Sequence, residues 1–316
     1  MFEMLRVFSG SSNPQLAQDI CRHLGIESGK AKIIRFSNNN IKIKIEENVR
    51  NKDVFIIQTA APPVNEHLME LLIFIDALRY ASANRITAVM PYYFYARSDK
   101  KDEPRISITA RLVADLLETA GAHRILTMKL HSPQIMGFSH IPIDQLLATQ
   151  IMVDHYKTKD LSNMVIAAPD VGSAKGSRTF AKALGRPLVI LDKERRGDEE
   201  EVEVRTVIGD ASGKDALIID DEILTGRSML EAAYTLKEHG AQRILAGCTH
   251  GFFSQNACER FTRSAVEEVV VTDTVPLRLE QPCDKIKVLG VGKLFADGIQ
   301  AIHEGTSVGA LFSSLE

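Results

Sequence analysis

Short apolar runs alternate with amphipathic stretches along the whole of this chain. The apolar runs include residues 54–59, 85–91, 124–128, 164–168, 188–191, 216–219, 243–248 and 267–272. Stretches at helical spacing lie between them, among them residues 67–81, 108–120 and 229–239. In the second stretch Leu112, Val113, Leu116 and Leu117 share one face. Alternation of this kind predicts an α/β fold with mainly parallel sheets flanked by helices.

The chain also echoes itself. Gly121-Ala122-His123-Arg124-Ile125-Leu126 matches Gly240-Ala241-Gln242-Arg243-Ile244-Leu245, and His131 and His250 follow at the same offset. The matched histidines point to duplication of a whole half rather than of one αβ unit. The expected boundary lies near residue 147, which divides the chain into 1–147 and 148–316. No Gly/Ser-rich linker separates the halves, so they are expected to pack rigidly together.

Charge excludes some functions. The 38 basic and 41 acidic residues leave a formal net charge of -3, which argues against general nucleic-acid binding. A local positive pocket for a small anion is untouched by that argument. No apolar run is long enough to span a bilayer, so no membrane partner is expected. The start lacks the basic and apolar segments of a signal peptide. Cys21, Cys248, Cys258 and Cys283 form no CxxC pair and read as core residues of a reducing compartment. The expected location is the cytoplasm.

The richest segment is Ile218-Ile219-Asp220-Asp221-Glu222-Ile223-Leu224-Thr225-Gly226-Arg227-Ser228. It reads as a buried strand ending at two carboxylates, then a hydroxyl-bearing loop, then a helix whose start Ser228 and Glu231 fix as a capping box. Such a loop directs backbone N–H groups at one phosphate, helped by the helix dipole. Adjacent carboxylates repel phosphate but suit ribose hydroxyls or a metal ion beside it. The combination describes a sugar-phosphate site.

Further segments add phosphate chemistry. Arg97 follows the aromatic run Tyr92-Tyr93-Phe94-Tyr95, and a guanidinium with aromatic faces can grip a purine and its phosphates. His131, at a strand's end, suits a metal or a phosphate. Asp170, before Gly172 and small residues that open a helix, suits Mg²⁺ beside phosphates. Lys193 and Arg195 alternate on a charged loop with Gly197, where a closing arm would deliver positive charge late. A plain solvated loop is the alternative for each charged run.

Together these residues resemble the ribose-phosphate pyrophosphokinase family nearly end to end. The resemblance begins at Phe8-Ser9-Gly10-Ser11-Ser12-Asn13-Pro14 and is most specific over residues 107–138. It continues through Pro169-Asp170-Val171-Gly172, Thr249-His250-Gly251 and Val271-Thr272-Asp273-Thr274-Val275-Pro276, and ends at His303-Glu304-Gly305-Thr306-Ser307-Val308. It implies two duplicated phosphoribosyltransferase-like domains. It also implies transfer of pyrophosphate from ATP to the 1-hydroxyl of ribose 5-phosphate. By position, Asp220, Asp221, Leu224, Thr225, Gly226, Arg227 and Ser228 would bind ribose 5-phosphate. Phe36, Asn38, Asn40, Arg97, Ser98 and His131 would form the nucleotide site. His131 and Asp170 would hold Mg²⁺, and Lys193 and Arg195 would be catalytic. The family assembles dimers into hexamers, so a homo-oligomer is expected.

The chain departs from the family at several of these positions. Asn38 and Asn40 stand where an aspartate and a glutamate are usual, Ser98 where a glutamine is, and Lys129 and Leu224 where aspartates are. Most departures fall in the nucleotide site, which motivates a second reading as a non-catalytic regulatory paralogue. The Thr225–Ser228 loop motivates a third, a phosphoribosyltransferase.

Overall fold

The computed structural model describes residues 4–194, 204–279 and 282–315. The first half runs β1 (Leu5–Ser9), α1 (Pro14–Leu24), β2 (Ala31–Arg35), β3 (Ile41–Ile45), β4 (Asp53–Ile57), α2 (Val64–Tyr80), β5 (Arg85–Met90), α3 (Thr109–Ala120), β6 (Arg124–Met128) and β7 (Ile143–Leu146). Next come α4 (Thr149–Lys157), β8 (Met164–Ala168), α5 (Ala174–Leu184), β9 (Leu188–Glu194) and β10 (Val204–Ile208). The remainder is β11 (Asp215–Ile223), α6 (Arg227–Glu238), β12 (Ile244–Gly251), α7 (Ala257–Arg263), β13 (Val266–Thr272), β14 (Ile286–Leu289) and α8 (Gly292–Glu304).

The expected α/β architecture is present. One five-stranded sheet has the order β1-β4-β5-β6-β7, with every pair parallel. A seven-stranded sheet has the order β10-β9-β8-β11-β12-β13-β14 and is parallel except at its β9–β10 edge. β2 and β3 form a separate antiparallel hairpin. Every residue of β4 and β8 is buried. Strands covered on both faces have no polar side to show, which is why the sequence carries continuous apolar runs rather than alternation.

Local signals set the helix ends. Asn13 caps α1 by accepting from the Leu16 N–H at 3.3 Å, Pro14 occupies the first turn, and left-handed Gly25 closes the helix. The echoed glycines do the same job twice. Gly121 (φ 115°) turns α3 into β6, and Gly240 (φ 84°) turns α6 into β12.

Two features differ from the sequence expectation. β11 runs past the two aspartates to Ile223, because its pairing with β12 continues through Glu222–His250 and Ile223–Gly251. The helix after it begins before Ser228, the residue expected to open it. Left-handed Gly226 is the N-cap residue, so Ser228 lies inside the first turn of α6.

The halves interlock. α8, the last long helix, packs on the first sheet, where Phe295, Ile299 and Ile302 join Leu5, Leu16 and Phe55 in one core. Its approach to α1 is so close that a Cβ at Gly292 would stand 2.1 Å from Asp19 Oδ2. Asn13 Nδ2 donates to Asp273 O at 2.8 Å, and Thr59 Oγ1 donates to Thr274 O at 2.7 Å. His250 Nε2 lies 3.0 Å from the Lys129 carbonyl.

Candidate active site

Parallel strands carry ligand-handling residues at their carboxyl ends, where the following loops leave a crevice. Here the ends of β6, β8 and β11 bring residues from both halves together. β11 presents Asp220, Asp221 and Glu222 in sequence. His131, on the loop after β6, places Nδ1 2.7 Å from Asp221 Oδ2. Hydrogen bonding to Asp221 raises the His131 pKa against the effect of burial. Burial disfavours charge on Asp221, but hydrogen bonds involving His131 and Asp220 outweigh it and hold Asp221 below its usual value. The two side chains are thus hydrogen-bonded to each other across the two halves.

Asp220 behaves oppositely. Burial, followed by the charges of Asp221 and Asp170, pushes its carboxyl well above the ordinary range. One oxygen accepts the Asp221 N–H at 2.9 Å. Asp170, just after β8, accepts the Ser173 N–H at 2.8 Å, which fixes the turn into α5. The neighbourhood of Asp220 thus carries more negative charge than its protein partners neutralise.

Glu222 extends the acidic strand in another direction. Tyr92 Oη donates to Glu222 Oε2 at 2.6 Å, and Arg97 Nε lies 3.2 Å from Oε1. Sequence reasoning passed over Tyr92 and Glu222 as partners. The aromatic run and the third acid of the strand were the visible signals, but nothing in the sequence shows that they meet. His250, noted only as an echo, is buried and packs edge-on to Tyr92 with ring centroids 4.6 Å apart.

The loop after β11 is braced from behind. The Leu224 carbonyl accepts the Ser254 N–H at 2.9 Å, and the Thr225 carbonyl accepts Arg260 Nη2 at 2.6 Å. Thr225 Oγ1 receives the Arg227 N–H at 3.4 Å. Gly226 has φ 77°, and a Cβ there would meet the Phe261 ring at 2.5 Å. Only glycine fits that turn against that ring. Arg227 and Ser228 are exposed at the start of α6, where the helix dipole and amide groups favour an anion.

Lys129 has φ 39° and reaches from the first half toward the second. A Cβ at Gly176 of α5 would lie 3.8 Å from its ammonium. Its charge also contributes to the lowered pKa of Asp221.

The other candidates are placed differently. Ser98 Oγ donates to Ser107 O and receives the Thr109 N–H, each at 3.2 Å, so its hydroxyl pins the loop at the start of α3. Phe36, Asn38 and Asn40 lie on the turn of the β2–β3 hairpin. Asn38 Oδ1 accepts the Asn40 N–H at 3.1 Å, and half of Phe36 is exposed (50%). Arg35 ties this hairpin to Glu66 and Glu70 of α2. Arg35 Nη2 also donates to Ser11 Oγ at 3.2 Å, so the hairpin is tied to α2 and to the loop after β1. Lys193 lies in β9, paired with Arg205 of β10. Arg195 lies outside the described residues. Among the described residues, no group of three or more His, Cys, Asp or Glu is arranged to hold a metal.

Comparison with known proteins places this geometry. Residues 5–121 match the family profile described as the N-terminal domain of ribose phosphate pyrophosphokinase, and residues 202–313 match the phosphoribosyl synthetase-associated domain. The ribose-phosphate pyrophosphokinase of Caldanaerobacter subterraneus subsp. tengcongensis is 48% identical over 310 residues, covering 98% of each chain. That of Bacillus caldolyticus is 47% identical over 308 residues, again covering 98% of each. The crystal structure of phosphoribosylpyrophosphate synthetase from Mycobacterium smegmatis superposes with a TM-score of 0.91 at 37% identity, over 96% of this chain and 100% of that one.

Proposed function

This chain belongs to the ribose-phosphate pyrophosphokinase family and has that enzyme activity, and we propose that the crevice between its two sheets is where the reaction occurs. The reaction joins ribose 5-phosphate and ATP. The 1-hydroxyl oxygen attacks the β-phosphorus, the bond to the α-phosphate oxygen breaks, and AMP leaves. The observation that carries the proposal is the 2.7 Å contact of His131 with Asp221, which brings the nucleotide side of one half against the sugar side of the other. Positioning and electrostatic stabilisation dominate phosphoryl chemistry, so such a junction is what the reaction needs.

On this reading Asp221, held ionised, accepts hydrogen bonds from ribose hydroxyls, and Asp220 lies beside it. The amides of Thr225, Gly226, Arg227 and Ser228, with Leu224 at the loop's root, receive the 5-phosphate at the α6 terminus. Arg97 addresses the nucleotide phosphates. Lys193 and Arg195 stabilise the charge that builds on the transferred group.

The donor chemistry of the site fits Mg²⁺. Asp220 is under the field of two neighbouring carboxylates, and Mg²⁺ binds by one or two carboxylates while keeping its waters. Asp170 and His131 are the residues that would hold it, and it would neutralise phosphate charge as the bond breaks. Lys129 lies near the same carboxylates and is suited to contact phosphate directly.

The hairpin turn with Phe36, Asn38 and Asn40 is exposed and suited to a neighbouring subunit's nucleotide site. This agrees with an assembly of dimers into a hexamer. No helix among the described residues is long and apolar enough to cross a membrane. We assign the protein to the cytoplasm. The decisive test incubates the purified chain with ribose 5-phosphate, ATP and Mg²⁺ and measures AMP and phosphoribosyl pyrophosphate together. Equal formation of both is expected. Their absence from a folded sample would overturn the assignment.

A further inference from the structure

We propose that Glu222 is a positioning residue that locks the nucleotide loop of the first half to the ribose strand of the second. The proposal rests on the reading of Arg97 as a nucleotide contact. Glu222 follows Asp221 directly on β11, yet its carboxylate does not join the Asp220–Asp221–His131 cluster. It turns to the first half and engages both Tyr92 and Arg97, which lie on the segment after β5. The side chain is only 7% exposed, whereas that of Arg97 is 59% exposed. The carboxylate is therefore a buried anchor, and the guanidinium is held from behind at Nε while its outer edge stays open to solvent.

A glutamate at this position has an evident electrostatic cost. It puts a third negative charge beside two aspartates at a site that handles polyphosphate. A buried carboxylate persists when it is paired and hydrogen-bonded. Here both partners come from the opposite half and each adds to that pairing. Tyr92 is itself confined, packing edge-on to His250 and Phe252 at centroid distances of 4.6 and 5.0 Å. Its hydroxyl is thus a stiff donor rather than a swinging one. His250 in turn contacts Thr274 at 2.9 Å and the Lys129 carbonyl at 3.0 Å. Glu222 closes a set of contacts in which each member has a fixed neighbour.

The consequence for the reaction is geometric. Asp220 and Asp221 set where the sugar's nucleophilic oxygen lies, and Arg97 sets where the nucleotide phosphates lie. Glu222 is covalently one residue from the first group and ion-paired to the second. It fixes the distance between nucleophile and phosphorus through a single side chain. A misplacement of about 1 Å costs roughly a hundredfold in rate when reactants must align. Glu222 therefore acts on the alignment of the bound substrates and leaves the sugar's own contacts intact.

The test is steady-state kinetics of the full-length enzyme, varying each substrate, for Glu222→Ala, Glu222→Gln, Tyr92→Phe, Arg97→Ala and the double variant Arg97→Ala/Glu222→Ala. Glu222→Ala is expected to lower kcat by roughly 10–100-fold, with the KM for ribose 5-phosphate changed by less than about threefold. Glu222→Gln keeps one oxygen acceptor but turns an NH2 to the other donor, and is expected to recover only part of that loss. The double variant is expected to be no worse than Arg97→Ala, because removing the anchor matters only while Arg97 is present. Wild-type kinetics in Glu222→Ala beside an impaired Arg97→Ala would overturn the anchor alone. Multiplied losses in the double variant would do the same. Wild-type handling of ATP by Arg97→Ala would overturn the nucleotide reading, and the anchor with it. Tyr92→Phe guards against a folding failure of the alanine variant: it leaves Glu222 paired with Arg97, and a smaller fall in kcat at unchanged ribose 5-phosphate KM is expected. An unchanged kcat there, in folded protein, would also count against the anchor.

Discussion

Gly226 shows how one residue decides a site. Its backbone is left-handed at φ 77°, and a Cβ would run into the Phe261 ring at 2.5 Å. Both constraints act on the turn proposed to present amides to the 5-phosphate. Gly226→Ala must shift either the turn or α7, which carries Phe261. The expected cost is about 1–3 kcal/mol in stability, with ribose 5-phosphate affinity reduced roughly tenfold or more. Thermal melts and calorimetric titration of the sugar phosphate read the two effects separately. Normal affinity in the variant would mean that the turn does not form the phosphate cradle. The glycine itself was legible in the sequence, as was the phosphate-loop pattern around it. Its reason was not, because Phe261 lies far along the chain and only packing brings it there.

At the scale of elements, the strands were the most legible feature, since buried parallel strands must be apolar throughout. The exception is instructive. β11 continues through Asp220, Asp221 and Glu222, which read as loop by polarity alone. Three acids in a row are accommodated here because the strand's end opens into a crevice, so the failure of the pattern marks the candidate site. Of the expected arm, Lys193 lies in β9, one pair from the last described pair of the β9–β10 edge, and Arg195 and Gly197 lie outside the described residues. Lys193→Ala is expected to lower kcat by about 100-fold or more while substrate KM values stay within a few-fold, since its proposed role is a contact made in the transition state. A rise in KM at constant kcat would assign it to ground-state binding instead.

β13 offers a pH test away from the chemistry. Glu268 is ringed by Lys287 at 2.8 Å, Lys159 at 3.0 Å and His155 at 3.2 Å. Burial opposes its charge, but these donors hold its pKa at about 2, against an ordinary value of 4.5. A depressed carboxylate stabilises the fold above pH 4.5, and that contribution is lost as pH falls toward 2. Glu268→Gln should cost roughly 1–3 kcal/mol at neutral pH, with the deficit shrinking across that window. Chemical denaturation at several pH values measures it, and a deficit that does not vary with pH would exclude the ion cluster as the cause.

The whole molecule behaves as one unit because its chain returns on itself. The Gly121 and Gly240 echoes do not mark equivalent strands: Gly121 leads into β6, second from the edge of the first sheet, whereas Gly240 leads into β12, third from the edge of the second. The return of α8 to the first sheet was not legible, because an amphipathic helix carries no address for the sheet it will cover. Phe295 is fully buried there, so Phe295→Ala should cost about 3–5 kcal/mol. The sharper expectation concerns how that cost appears. Thr59 and Thr274 are fully buried and bonded across the halves, and His250, buried with them, reaches the Lys129 carbonyl. Unfolding one half would strip these polar groups of their partners in the other, at a penalty of about 1–3 kcal/mol each. Phe295→Ala lies in the core of the first sheet, but the second should unfold with it. Calorimetry is expected to show one transition moved to lower temperature. Two separated transitions, with only the lower one moved, would mean that the halves are independent and that the alignment at the crevice is maintained by something other than this interface.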